Sequence, residues 1–357
     1  MSGPMLVAQE AVIAVAAHGL VGSCLRAPDE ALRHRVWDRF LATVATHRLP
    51  GHLVDAIAAG AFPATPDQFD QAVELHTCAL AHTVRLERLL LRVTACLDDA
   101  GIDHRVLKGP ALAHTTYADA SVRVYGDVDV LIPSDHVDRA PALLESQGFR
   151  PTPRLRWVGV GSRHAQGVAL RWADELEVDL HFRRAHDVFG RSVDDDRLFG
   201  DETEFTVGGR VLRTLAPEQS FLYACYDATI GAQPRLSALR DVAELVLGGS
   251  VDGDLVLAAA SLSRSGEVAV AKAVRTTWEC FALADIVPLS VWALRYQPDR
   301  YERRALHGFR GAVGLTARAL DRLRAVRRRT LGTPFLRPLQ DHVGSGRGRP
   351  STHRGRR

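Results

Sequence analysis

Val106–Ile132 reads VLKGPALAHTTYADASVRVYGDVDVLI. It opens on a short apolar strand, breaks at a Lys-Gly turn and closes on a second apolar strand carrying Asp-Val-Asp. Side chains alternate faces along a strand. Asp127 and Asp129 are therefore expected to project together while Val128 and Val130 face the core. Two carboxylates converging from one strand suit a hard divalent cation, Mg²⁺ first and Mn²⁺ as the alternative.

A two-metal site of this kind needs a third carboxylate, supplied by a neighbouring strand and facing the same way. Leu176–Phe182, LEVDLHF, is the candidate. Asp179 lies between Val178 and Leu180, so it points away from the core, and an acid in such a strand calls for a polar partner or a metal. Glu177 shares that face and is an alternative ligand. His181 shares it too; a histidine here is more often tied to a backbone carbonyl than a base, and it is read as lying near the substrate.

Phosphates need N–H groups and cations. The turn Leu107-Lys108-Gly109-Pro110 opens a short helix, expected over Ala111–Thr116, whose N-terminus favours anions. Gly109 allows close backbone approach, and Lys108 can reach a phosphate oxygen. Lys108 and Lys272 are the only lysines in an arginine-rich chain, so a compact ammonium at this turn stands out. Arg123 can neutralise charge on a leaving pyrophosphate, or it can pair with Asp119 or Asp127.

Outward from this segment, the 357 residues allow two or three domains. Residues 1–100 read as helical, with the clearest helix from about Pro66 to Ala100 and Val73, Leu80, Val84 and Leu91 as its apolar stripe. Residues 101–215 alternate strands with one or two helices. The expected strands include Val106-Leu107, Val128–Ile132, Trp157–Val160, Val168–Trp172 and Leu176–Phe182, and a helix capped by Ser134 or Asp135 runs to Gln147. Glu204–Leu212 reads as a hairpin turning at Gly208-Gly209. Residues 216–340 are helical again, with helices at Gln219–Thr229 and Leu236–Leu247 ending at Gly231 and Gly248. Residues 341–357 form a basic, Gly/Pro-rich tail expected to be disordered.

The composition, 46% hydrophobic and 24% charged with net charge +3, is that of an ordinary globular protein. Five scattered cysteines form no CxxC pair, which argues against a disulfide framework or a zinc site. The N-terminus lacks a basic region before its apolar run, no stretch suits a membrane span, and the cytoplasm is the expected location. Arginines crowd residues 318–329 and the tail. They offer a nucleic-acid contact or a solvated helix face, without the interleaved aromatics of sequence-specific binding. Gly159-Val-Gly161-Ser162 imitates a phosphate loop but follows the Asp pair and opens no helix. Cys78 and His82, four residues apart on one helix, read as core or rim residues.

At these residues the chain resembles the uncharacterised bacterial proteins of the polymerase-β-like nucleotidyltransferase superfamily. The resemblance rests on Val106-Leu107-Lys108-Gly109, on Arg123 with Asp127-Val128-Asp129, on Val178-Asp179-Leu180-His181, and on Leu215-Ala-Pro217-Glu218. Leu239-Arg240-Asp241-Val242 adds to it, and the whole covers about residues 101–250. The wider superfamily usually carries Gly-Ser where this chain has Lys108-Gly109, so phosphate binding by a serine hydroxyl is lost, and Pro110 removes one N–H from the turn. Cys225-Tyr226-Asp227 stands where relatives often carry histidine.

The resemblance implies an α/β (α+β) core with a small mixed sheet, flanked by N- and C-terminal helical regions. It implies a metal site of Asp127, Asp129 and Asp179, and transfer of a nucleoside monophosphate from an NTP, ATP by preference. Lys108, Gly109, Arg123 and His181 would bind nucleotide or phosphate, and the acceptor, small molecule or macromolecule, is unassigned. Two rival expectations are a toxin-like transferase acting on tRNA or protein, and a degenerate core that holds nucleotide while its helices dock a partner.

Overall fold

The computed structural model describes residues 4–152, 167–172, 176–182, 195–229, 234–261, 266–284 and 286–298. The expected strand Trp157–Val160, the loop Gly159–Ser162, Gly231, the arginine cluster at 318–329 and the tail lie outside the described residues.

Four helices precede the first strand: α1 (Pro4–Ala17), α2 (His34–Thr46), α3 (Pro50–Ala58) and α4 (Pro66–Asp99). Next come β1 (Arg105–Leu107), α5 (Lys108–Thr115), β2 (Val128–Leu131), α6 (Arg139–Ser146), β3 (Arg150–Pro151), β4 (Gly167–Arg171), β5 (Glu177–His181), α7 (Asp195–Gly200), β6 (Glu202–Val207) and β7 (Arg210–Leu215). Helices α8 (Pro217–Thr229), α9 (Leu236–Leu247), α10 (Gly253–Ser261), α11 (Gly266–Phe281) and α12 (Pro288–Arg295) complete the described chain. No helix among the described residues is long and apolar enough to cross a membrane.

The seven strands form one mixed sheet in the order β3-β4-β5-β2-β1-β7-β6. β2 runs antiparallel to β1 and parallel to β5, and β1 runs parallel to β7. Val128, Val130, Val178 and Leu180, all fully buried, point to one face, where they pack with Leu86, Leu90, Val93, Leu97 and Leu144 from α4 and α6. On the opposite face Leu107, Leu131 and Leu215 meet Tyr223 of α8. The expected hairpin is β6–β7, with Gly208 (φ 55°) and Gly209 (φ 80°) supplying the two positive φ angles that a type I′ turn requires.

Helix α4 begins as its sequence demands. Pro66 sits at the first helical position, and Thr65 and Gln68 form a capping box that satisfies two orphan N–H groups reciprocally. Its buried face differs from the expected stripe. Val73 and Val84 are exposed, whereas Ala72, Ala79, Thr83, Leu86, Leu90, Val93 and Leu97 are buried. Small side chains at 72, 79 and 83 let neighbouring backbone come close, so the helix turns its bulkier valines outward.

A second correction concerns α6. Ser134–His136 is a 3₁₀ turn preceded by Pro133, and the α-helix starts only at Arg139, at a cap position (Asp138) without a side-chain cap bond. Pro141 lacks an N–H and is tolerated only in a first turn, which fixes the start there and leaves Ser134 and Asp135 outside the cap.

The helices that precede and follow the sheet strands share one core. Trp37, Phe40 and Leu53 from α2 and α3 pack with Phe221, Val242 and Trp278 from α8, α9 and α11 in a single apolar cluster. Helix α8, which follows β7, belongs to this lobe and carries Tyr223 onto the Leu107–Leu131–Leu215 face of the sheet.

Candidate active site

Asp129 and Asp179 sit in strands as the alternation predicts, whereas Asp127, expected inside the same strand as Asp129, falls just outside it. Asp129 and Asp179 are direct register partners on the parallel strands β2 and β5, and Val128, Val130, Val178 and Leu180 flank them on the buried face. Asp127 precedes β2 by one residue and is half-buried. Of the two acids on the open face of β5, Glu177 is taken up by Arg171, its register partner on β4, at 3.0 Å. Asp179 is left beside Asp129.

Side-chain cations surround these acids. His181 Nε2 lies 2.6 Å from Asp129 Oδ1, and Lys108 Nζ donates to the same oxygen at 3.4 Å. The ammonium also lies 3.3 Å from Asp227 of α8 and 5.7 Å above the Tyr223 ring. Arg48 Nη1, from the turn between α2 and α3, donates to Asp127 Oδ1 at 3.3 Å. Burial opposes ionisation of Asp129, but Lys108 and His181 outweigh it and hold the carboxyl well below the usual range. At Asp127 burial is likewise outweighed by Arg48. Burial would lower Lys108, but Asp129 and Asp227 keep it firmly protonated.

Asp179 differs. Its Oδ1 is buried without a hydrogen-bond partner among the described residues. Burial, then the charges of Asp129 and Asp127, push the carboxyl up to about 8. Among the described residues no three His, Cys, Asp or Glu side chains are gathered closely enough to hold an ion as they stand. The donor chemistry nonetheless suits one: three carboxylates on one side of a sheet, one with an orphaned buried oxygen, match the oxygen ligands that hard divalent ions prefer.

Two expected site residues have other work. Arg123 is buried and forms a fork on Asp241 of α9, with Nε and Nη2 at 2.7 Å from its two oxygens, while Nη1 donates to the Val124 carbonyl. Tyr117 adds a third donor to Asp241 at 2.7 Å. A guanidinium so committed ties sheet to helical lobe instead of facing phosphate, and its partner is neither Asp119 nor Asp127. Gly109 is pressed against Tyr125, and a Cβ there would stand 2.8 Å from the Tyr125 Cβ and Cγ. Its close approach is to an aromatic ring.

Lys108, the first residue of α5, has φ 49°, a left-handed conformation that is costly for a side-chain-bearing residue. Arg48, Asp227 and Arg235 are the site residues that sequence reasoning missed. Only Asp227 had a local signal, as the acid of Cys225-Tyr226-Asp227. Arg235 immediately precedes α9, and the Leu236 N–H donates to His47 Nδ1 at 3.1 Å, which holds the start of α9 against the turn bearing Arg48.

A family described as an uncharacterised nucleotidyltransferase matches residues 33–279, well over half of the chain. The chain belongs to this nucleotidyltransferase family. The match runs from α2 into α11, so it takes in the helical lobe as well as the sheet. No curated protein matches the sequence of this nucleotidyltransferase. Among solved structures it is similar to the antibiotic-resistance factor ANT(2'')-Ia, at 16% identity over 50% of this chain and 91% of that one, with a TM-score of 0.37. It is also similar to the lincosamide antibiotic adenylyltransferase LnuA, at 15% identity over 44% and 93% of the two chains and a TM-score of 0.30. An antigenic nucleotidyltransferase-like protein from Paracoccidioides brasiliensis shows 16% identity over 56% and 92%, with a TM-score of 0.32. Likenesses this distant carry no argument about substrate.

Proposed function

We propose that this nucleotidyltransferase moves a nucleoside monophosphate from a cytoplasmic NTP, ATP by preference, to a hydroxyl or phosphate acceptor and releases pyrophosphate. Asp127, Asp129 and Asp179 would hold Mg²⁺ or Mn²⁺. The observation that carries this reading is the in-register pair Asp129–Asp179, in which Asp179 keeps a buried oxygen without a partner. Bound there, divalent ions would neutralise phosphate charge and ease loss of the acceptor's proton.

The chain's own residues supply the rest. With cations held there Asp179 would lose its own proton, and its carboxylate can then accept that of the acceptor; the acceptor oxygen bonds to the α-phosphorus, and the bond to the bridging oxygen of pyrophosphate breaks. His181 holds Asp129 in its rotamer through their 2.6 Å hydrogen bond. Lys108 neutralises Asp129 and Asp227, and with a cation held by Asp129 its ammonium would be free to serve the phosphates.

Calorimetric titration of Mg·ATP into the wild type and Asp129→Ala tests the reading, with Mg²⁺ omitted as a control. Metal-dependent binding that disappears in the variant supports it. Equal binding by both proteins, or none by the wild type, overturns it.

A further inference from the structure

We propose that Arg48 and Arg235, brought together from the helical segments before and after the sheet, form a clamp for the β- and γ-phosphates of the nucleotide. This inference rests on the nucleotidyl-transfer reading and supplies the cation that Arg123, committed to Asp241, cannot provide.

Arg48 stands at a costly position. α2 ends in a Schellman motif, in which Leu49 N–H donates to the Val44 carbonyl at 3.0 Å and Arg48 N–H to the Ala45 carbonyl at 3.2 Å. The residue between them must take a left-handed backbone and is usually glycine. Here it is Arg48, at φ 58°. Strain of this kind persists where the side chain is needed. That side chain reaches over Gly126, where an added Cβ would stand 2.6 Å from Arg48 Nη2, and ends on Asp127.

The guanidinium of Arg235, at the same place, has no hydrogen-bond or ion-pair partner among the described residues, its backbone carbonyl alone being bonded, to the Ala238 and Leu239 N–H groups. The His47–Leu236 hydrogen bond fixes it beside Arg48. The charge of Arg48, followed by burial, draws its guanidinium below the ordinary arginine range, against the pull of Asp127 and Asp227. Arg48 is bonded to Asp127 while Arg235 only feels its charge, and a cation held by that carboxylate would deprive both guanidinium groups of it. A multiply charged anion beside the carboxylates resolves the repulsion, and planar guanidinium forks match phosphate oxygens. Lys108 already lies between Asp129 and Asp227. Lys108 keeps Asp227 as a counter-charge when a cation takes Asp129, so the arginine pair has the larger cationic capacity to spare.

The test titrates inorganic tripolyphosphate (metal-free), Mg·ATP and AMP into wild type, Arg48→Gly, Arg48→Lys, Arg235→Ala and Gly126→Ala, with thermal melts of each. Arg48→Gly and Arg235→Ala are expected to lose about tenfold or more in tripolyphosphate and Mg·ATP affinity, with AMP affinity unchanged. Gly126→Ala should do the same by displacing the flexible end of Arg48. Arg48→Lys should recover only part of the loss, since charge returns without the fork. Arg48→Gly relieves the left-handed strain, so its Tm should hold or rise, which separates lost binding from lost fold.

Unchanged tripolyphosphate affinity in both arginine variants overturns the clamp, as does an equal loss for AMP. If Mg·ATP binds in an Asp129-dependent way while the arginine variants bind it normally, the clamp fails and the transferase reading stands. If the wild type binds tripolyphosphate through the arginines but not Mg·ATP, the reverse holds.

Discussion

Asp129 and Asp179 are register partners on adjacent parallel strands, yet their environments are opposite. Asp129 accepts from His181 and Lys108, whereas the buried Oδ1 of Asp179 accepts from nothing among the described residues. One acid is ionised and tethered. The other is held protonated by burial and by its neighbours' charge.

That asymmetry makes stability depend on pH. The folded Asp179 carboxyl titrates near 8, above its ordinary 3.8. Between these values the folded state keeps a proton that the unfolded state has released, so stability falls as pH rises through the window and stays reduced above 8. Asp179→Asn should therefore melt a few degrees higher than wild type at pH 8–9 in chelator, with the difference vanishing toward pH 4. Thermal melts across pH check this; a difference independent of pH would remove the electrostatic explanation. Added Mg²⁺ should raise the Tm of the wild type and leave the variant where it was.

The Arg123–Asp241 fork should behave as a buried ion pair. Asp241→Ala leaves a buried guanidinium without its carboxylate and is expected to cost about 3–5 kcal/mol. The double variant Arg123→Met/Asp241→Leu should recover most of that, because neither charge then remains to be desolvated. Chemical denaturation of the three proteins measures it, and additive losses in the double variant would show that the two residues act separately.

His52 contributes to the acid side, as do His47, His82 and His104, whose pKa values burial also lowers. The His52 ring is 2% exposed, and neither nitrogen has a hydrogen-bond partner. Burial, then the charges of Arg240 and Arg123, keep its pKa well below 6.5. The unfolded state therefore binds a proton that the folded state refuses, so stability is fully present above about pH 6.5 and is lost as pH falls. His52→Leu should flatten this acid limb and leave the neutral-pH Tm within a few degrees of wild type. Melts at pH 5 and pH 7.5 decide it.

Gly109→Ala should destabilise by about 1–3 kcal/mol, because the new methyl meets the Tyr125 ring at its backbone end, where little can yield. Gly126→Ala meets only the tip of Arg48 and should cost far less. Denaturation midpoints of the two variants make a direct comparison.

The sheet and its carboxylates were legible because period-two alternation is local. Val128 and Val130 against Asp129, and Val178 and Leu180 against Asp179, need no knowledge of the rest of the chain. The Gly208-Gly209 turn was legible for the same reason. The contacts of Arg123 were not, since its partner lies 118 residues away. Arg48 and Arg235 were hidden similarly: each occupies the end of a helix in a stretch without a motif, and only folding brings them to Asp127. The face of α4 was misread because bulk hydrophobicity pointed to Val73 and Val84, while close packing selected Ala72, Ala79 and Thr83.

The helical lobe built from segments before and after the sheet has a consequence for synthesis on the ribosome. Trp37, Phe40 and Leu53 emerge early, but Phe221, which packs in the same cluster, is made only after the whole sheet. At about 5–20 residues per second, the early helices wait roughly ten to thirty seconds with their apolar faces uncovered. During that interval they are natural clients for a chaperone, and a stop codon anywhere before α8 would leave a product that cannot hide them.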